Sequence, residues 1–143
     1  LHYPLRRQRK MCIRDRINSI RFLGHLDNEA LPSLLSSVDV YVSTSLSDAG
    51  IAASTAEAMA CEVPVVISDS GENNRWIKNG DNGFLVPVSE PKELATQVIK
   101  ILKNKSSTKK IGKNGRQIIV DKNDISNEMS KMNHLYDKIS DIG

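Results

Sequence analysis

The 143 residues, 39% of them hydrophobic, fit one soluble globular domain able to bury a core, and no stretch reads as a membrane span or a signal peptide. Two cysteines, Cys12 and Cys61, share no spacing logic, which argues against a disulfide framework and makes a reducing, cytoplasmic setting the default. Aromatic residues at 4% disfavour a stacking platform for nucleic acid, and the formal charge of +3 is local.

That charge sits in residues 1–16, "LHYPLRRQRKMCIRDR", where six Lys or Arg face the single acid Asp15; the remainder holds 14 basic and 16 acidic residues. The segment has neither apolar periodicity nor a helix cap. Its end, Met11 to Arg16, resembles the in-frame translation of a transposase adapter used in sequencing libraries. We therefore expect residues 1–16 to be a non-native, disordered segment outside the fold, and residues 17–143 to form the domain proper. A native basic arm that binds nucleic acid or anionic lipid is the competing reading.

From residue 17 on, short β-branched runs alternate with longer amphipathic ones. "SIRFLG" (19–24) reads as a strand closed by a glycine turn. Leu31, Leu34, Leu35 and Val38 recur at helical spacing, and Pro32 suits the first turn of that helix. Strands are expected at 39–45, 63–68 and 83–87, the last after the Asn82-Gly83 turn, with a crossover helix starting near Gly50 or Ile51. Helices follow over about 90–104, 107–120 and 125–139. In the first of these Leu94, Val98, Ile101 and Leu102 point inward, with Ser89 as cap and Pro91 in the first turn.

Short, wholly apolar strands alternating with helices imply a parallel α/β sheet covered on both faces, in which ligands gather where strand ends lead into helices. The loop 43–50, "STSLSDAG", occupies such a place. A helix starting near Gly50 or Ile51 offers unpaired N–H groups and a positive dipole end to a phosphate, and the small residues there let an anion approach the backbone. Glu57, about two turns in, can accept two hydrogen bonds from a sugar diol. The residues alone serve equally for tight helix packing on the sheet, with Glu57 merely solvated.

"TAEAMACEVPVVISD", preceded by "DVYVSTSLSDAG" and followed by "SGENNRWIKNGDNGFLVP", resembles the C-terminal, donor-binding half of GT-B glycosyltransferases, in particular the retaining enzymes of family 4. The likeness spans about residues 18–103 and, more loosely, the helical tail. It implies a doubly wound, Rossmann-like parallel sheet, an incomplete C-terminal half of a GT-B fold with a helical C-terminal tail. It also implies transfer of a sugar from a nucleoside-diphosphate sugar to an acceptor hydroxyl, with retention at the anomeric carbon. The acceptor, a glycan or a lipid-linked sugar, is left open.

By that resemblance Glu57 takes the place of the glutamate that binds the donor ribose, and the backbone of Gly50, Ile51 and Ala52 that of the diphosphate loop. The motif's first glutamate falls on Ala49, a departure. Asp48, one residue earlier, either offers a shorter carboxylate to the donor sugar or caps the helix. Glu62 departs from a glycine, so a left-handed backbone is expected there at a cost of roughly 1 kcal/mol. No catalytic residue is singled out. His2, His25 and His134 are isolated and no acidic pair has ligand spacing, so neither metal nor cofactor is expected. Cys61 reads as a small buried residue, Trp76 as packing and "KNKSSTKK" as solvated surface.

The family's C-terminal domain opens with two further strands and follows a whole acceptor-binding domain, through which peripheral membrane contact could come. Neither is found here, so the chain is expected to be an inactive fragment whose strand at 19–23 lacks its neighbours in the order 3-2-1-4-5-6. A GT-B-type nucleotide-sugar epimerase and a non-catalytic phosphate-binding α/β module are the alternatives.

Overall fold

The computed structural model describes residues 20–46 and 50–140. The chain divides into two compact units, Leu1–Leu31 and Pro32–Gly143. In the first, the expected strand at 19–23 does not form over its described residues: Ile20, Phe22 and Leu23 are 42%, 47% and 46% exposed and belong to no sheet. A strand persists only when its N–H and C=O groups find a ladder, and the described part of this unit supplies no second strand. Gly24 does take the left-handed turn conformation, φ 76°. Residues 1–16 and the domain boundary drawn after them lie outside the described residues.

The second unit is built on a parallel sheet. Its described elements are α1 (Leu31–Ser36), β1 (Tyr41–Ser43), α2 (Ala53–Ala60), β2 (Val65–Ser68), α3 (Asn73–Trp76), β3 (Phe84–Val86), α4 (Pro91–Lys103), α5 (Lys105–Asn123) and α6 (Ile125–Ser140). The strands run in the order β1-β2-β3 with Tyr41 opposite Val65 and Ser68 opposite Val86. All four residues of β2 are buried, as a central strand covered on both faces requires. Val65 and Ile67 join Ala58 and Met59 of α2 and Ile119 of α5 on one face, whereas Val66 joins Val86 and Ile101 of α4 on the other. This is the parallel sheet covered on both faces that the alternating pattern implied, wound as the family resemblance implied.

Five local details differ from what the sequence implied. α2 starts at Ala53 rather than at Gly50 or Ile51, because Gly50 is left-handed (φ 86°) and Ala52 is extended (φ −61°, ψ 138°). The residue flanking α4 is Glu90, not Ser89, which itself sits at φ 63° and cannot lead into the helix as its cap. Leu102 is 42% exposed, one position off the inward row of Leu94, Val98 and Ile101. α3, a single turn, has too few residues to show periodicity. Cys61 is half-buried rather than buried, while Trp76 packs against the α2 face of the core as anticipated.

The end of α2 is closed by its own backbone. Glu62 N–H donates to the Met59 carbonyl at 3.0 Å and Val63 N–H to the Ala58 carbonyl at 3.0 Å, the paired bonds of a Schellman motif. That motif needs a left-handed residue after the helix, and Glu62 fills the place at φ 60°. α5 crosses here so closely that a β-carbon on Gly112 would collide with the Glu62 carbonyl oxygen, and Arg116 Nη1 donates to the Ala60 carbonyl at 2.5 Å. Asn82, 3% exposed, ties the turn before β3: its Oδ1 accepts from Lys78 N–H at 2.7 Å and its Nδ2 donates to the Trp76 carbonyl at 2.8 Å.

Candidate functional site

Because β1, β2 and β3 are parallel, Ser43, Ser68 and Val86 end at one edge of the sheet, where loops leave for helices. The loop from β1 runs through Gly50, half-buried and left-handed, then Ile51, which packs against the core, to Ala52 at the N-cap of α2. The Ala52 carbonyl accepts from Thr55 N–H at 2.9 Å and from Ala56 N–H at 3.0 Å. Ala52 has no side chain with which to cap this helix start, and among the described residues no side-chain cap is made there. A hydrogen bond of 2.8 Å between the Tyr41 and Ser54 hydroxyls ties the first turn of α2 to β1. The dipole of α2 places its positive end here, and alanines at positions 52 and 53 add no bulk over it.

Thr55, Ala56, Ala58 and Met59 turn into the core, leaving Glu57 exposed on the face it shares with Ala53 and Ser54. Among the described residues no hydrogen bond or ion pair engages its carboxylate. With the helix starting at Ala53, Glu57 stands about 6 Å along the axis from the first residue rather than two turns away. The structure thus brings Gly50, Ile51, Ala52 and Glu57 together at one helix start. Asp48, and with it the question of cap or ligand, lies outside the described residues.

At the same edge of the sheet, beside the start of α4, the strand ends frame a cleft of about 210 Å³, with Thr44 and Leu46 from the loop after β1, Ser68 at the end of β2, and Ser89, Glu90 and Leu94 around the start of α4. Behind Ser68, the buried Asn73 donates from Nδ2 to the Ser68 carbonyl at 3.0 Å and so fixes the turn that follows β2. From the sequence, Thr44 and Leu46 belong to the loop 43–50 expected near a ligand and Ser89 and Leu94 to the cap and core face of a helix, whereas Ser68 and Glu90 have no expected role in a site. Their signal was positional: each group follows directly on a strand that was itself expected. Among the described residues no group of three or more His, Cys, Asp or Glu is placed to hold a metal ion.

The fold is that of the C-terminal part of a GT-B glycosyltransferase. Sucrose-phosphate synthase from Thermosynechococcus elongatus superposes with a TM-score of 0.85 at 25% identity, over 98% of this chain and 35% of that one. HepE from Anabaena, solved in complex with UDP-glucose, superposes with a TM-score of 0.81 at 24% identity, over 95% of this chain and 37% of that one. Residues 8–118 match the family described as glycosyl transferases group 1, and the chain belongs to that family.

Its curated relatives include phosphatidyl-myo-inositol mannosyltransferase of Mycobacterium leprae, 33% identical over 88 residues, which are 62% of this chain and 24% of that protein. Spore coat protein SA of Bacillus subtilis is 30% identical over 105 residues, 73% of this chain and 27% of that protein. The chain spans about a quarter of the length of the relatives it matches.

Proposed function

We propose that the chain is the donor-binding part of a retaining, family 4 glycosyltransferase that moves a sugar from a nucleoside diphosphate to an acceptor hydroxyl. The observation that carries this reading is the start of α2: a left-handed Gly50 and an extended Ala52, whose own side chain offers no cap, lead into the helix, and an exposed carboxylate stands one turn inside it. Backbone N–H groups of Gly50, Ile51 and Ala52 hold the diphosphate, and Glu57 accepts hydrogen bonds from the ribose diol. As the glycosidic bond breaks, negative charge gathers on the departing diphosphate. Fixed amides and the helix dipole, already oriented, favour that charge where it develops. The reaction so drawn needs no metal, and Asp48 serves as helix cap or as a contact to the donor sugar.

The relatives support the substrate class: mannosyltransferases are among them, and HepE has been solved with UDP-glucose. In this reading the acceptor site belongs to a longer, cytoplasmic parent chain, the 143 residues alone do not turn over, and residues 1–16 are an assembly scar. Resequencing the source locus without library adapters tests the last point, and codons for Met11 to Arg16 recovered there would refute it.

The donor site is tested by calorimetric titration of UDP, GDP and ADP into the wild type and Glu57→Ala, in the longest chain that carries this sequence. A carboxylate that accepts from a diol contributes about 1.5–3 kcal/mol, so affinity should fall tenfold or more in the variant. Equal affinities in the two proteins would reject the role of Glu57.

A further inference from the structure

We propose that Tyr41 is a positioning residue for the nucleotide: its hydroxyl, acting through Ser54, fixes the first turn of α2. The role rests on the donor-site reading above and names what holds that site in place. Tyr41 opens β1 and is itself firmly held. Its N–H donates to the Pro64 carbonyl at 2.9 Å, it stands opposite Val65 in the sheet, and its half-buried side chain packs against the core cluster that includes Ala56, Ala58 and Met59 of α2. The phenol therefore acts as a strut. At its far end the hydroxyl meets the Ser54 hydroxyl at 2.8 Å, 13 positions further along the chain.

Ser54 is the second residue of α2, and a contact at that point is what this helix lacks otherwise. Eight residues make a helix about 12 Å long, too short to hold itself in water, and Ala52 offers its first turn no capping side chain. Thr55 and Ala56 turn into the core and set the depth at which the helix sits. The hydroxyl pair adds a directional bond, which sets the rotation of the first turn. Rotation matters here because Ser54 and Glu57, three residues apart, share one exposed face. A turn that frays or rolls at Ser54 moves the Glu57 carboxylate together with the amides that precede it.

The test uses Tyr41→Phe, which keeps the ring and removes only the oxygen, with Ser54→Ala, the double variant and Ser54→Thr, in the longest chain that carries this sequence. Alanine is a better helix former than serine, so a looser first turn in Ser54→Ala reports the lost hydroxyl. Two quantities are read: amide hydrogen exchange at Thr55 and Ala56, whose N–H groups donate to the Ala52 carbonyl, and calorimetric affinity for whichever of UDP, GDP or ADP binds. Each single variant should exchange about fivefold faster at those two amides, with Val63 at the closed end of the helix unchanged. Nucleotide affinity should fall about threefold, because a smaller share of molecules then carries a formed first turn. The double variant loses no more than either single one, since both remove the same bond, and Ser54→Thr matches the unaltered chain.

Unchanged nucleotide affinity in Tyr41→Phe overturns the role, whether or not exchange is faster, and so do additive losses in the double variant. Glu57→Ala reads the donor site separately. A loss of affinity there beside an unaffected Tyr41→Phe leaves the donor site standing without its strut. A loss in Tyr41→Phe beside an unaffected Glu57→Ala keeps the strut and removes Glu57 from the site.

Discussion

The two ends of α2 are treated in opposite ways. At its C-terminus every device for closing a helix is in use: the paired Schellman bonds at Glu62 and Val63, an arginine on the Ala60 carbonyl, and α5 pressed against the turn at Gly112. At its N-terminus no side-chain cap is made among the described residues, and Gly50, Ala52 and Ala53 add little bulk. The difference separates scaffold from site. A helix anchored at one end by a neighbouring helix can hold the other end uncapped for a ligand, because the anchoring supplies the rigidity that the uncapped end does not.

Substitutions can break that contrast, and the largest effect is expected at the closed end. Gly112→Ala puts a methyl group into the Glu62 carbonyl, backbone against backbone with no side chain to swing aside, and should cost about 3 kcal/mol or more in denaturant unfolding. A loss below about 1 kcal/mol would mean that α5 is free to slide. Next comes Asn82→Ala, which leaves the Lys78 N–H and the Trp76 carbonyl without their partner beside the same helix pair. About 2 kcal/mol should be lost, read as a lower midpoint with unchanged slope.

Glu62→Gly should act in the other direction, raising stability by roughly 1 kcal/mol as the left-handed strain is released. A lower melting temperature would show that the glutamate side chain contributes more than its backbone costs. The smallest effect on stability belongs to the open end: Glu57→Ala, exposed and without a partner among the described residues, should change stability by less than about 0.5 kcal/mol. A larger loss would make Glu57 part of the scaffold.

Much of this was legible in the sequence, for reasons that differ along the chain. The three strands and the helices α2, α4, α5 and α6 could be read because "YVS", "VVIS" and "FLV" are short runs rich in β-branched and aromatic residues, separated by helical patterns. Glu62 could be read as left-handed because the family it resembles places glycine there, just past the helix end. The start of α2 could not be placed to the residue. Gly50 tolerates both a helical and a left-handed backbone, and only its neighbours in space decide.

Ser89 misled because serine is a common cap; here the following Glu90 takes that place without using its side chain. The stretch 19–23 has a strand's composition, yet its described residues 20–23 join no sheet, which composition cannot reveal. Of the candidate site, the helix start was visible and the cleft was not, since Thr44, Ser68 and Glu90 are far apart in sequence and meet only through the parallel register.

The central claim concerns where a nucleoside diphosphate touches the chain, and amide chemical-shift mapping with ¹⁵N-labelled protein addresses it directly. On adding UDP or GDP, the largest shifts should fall on Gly50, Ile51, Ala52 and Ala53, with little change at Glu62 or Gly112. Shifts concentrated away from that turn, or none at saturating nucleotide, would contradict the account.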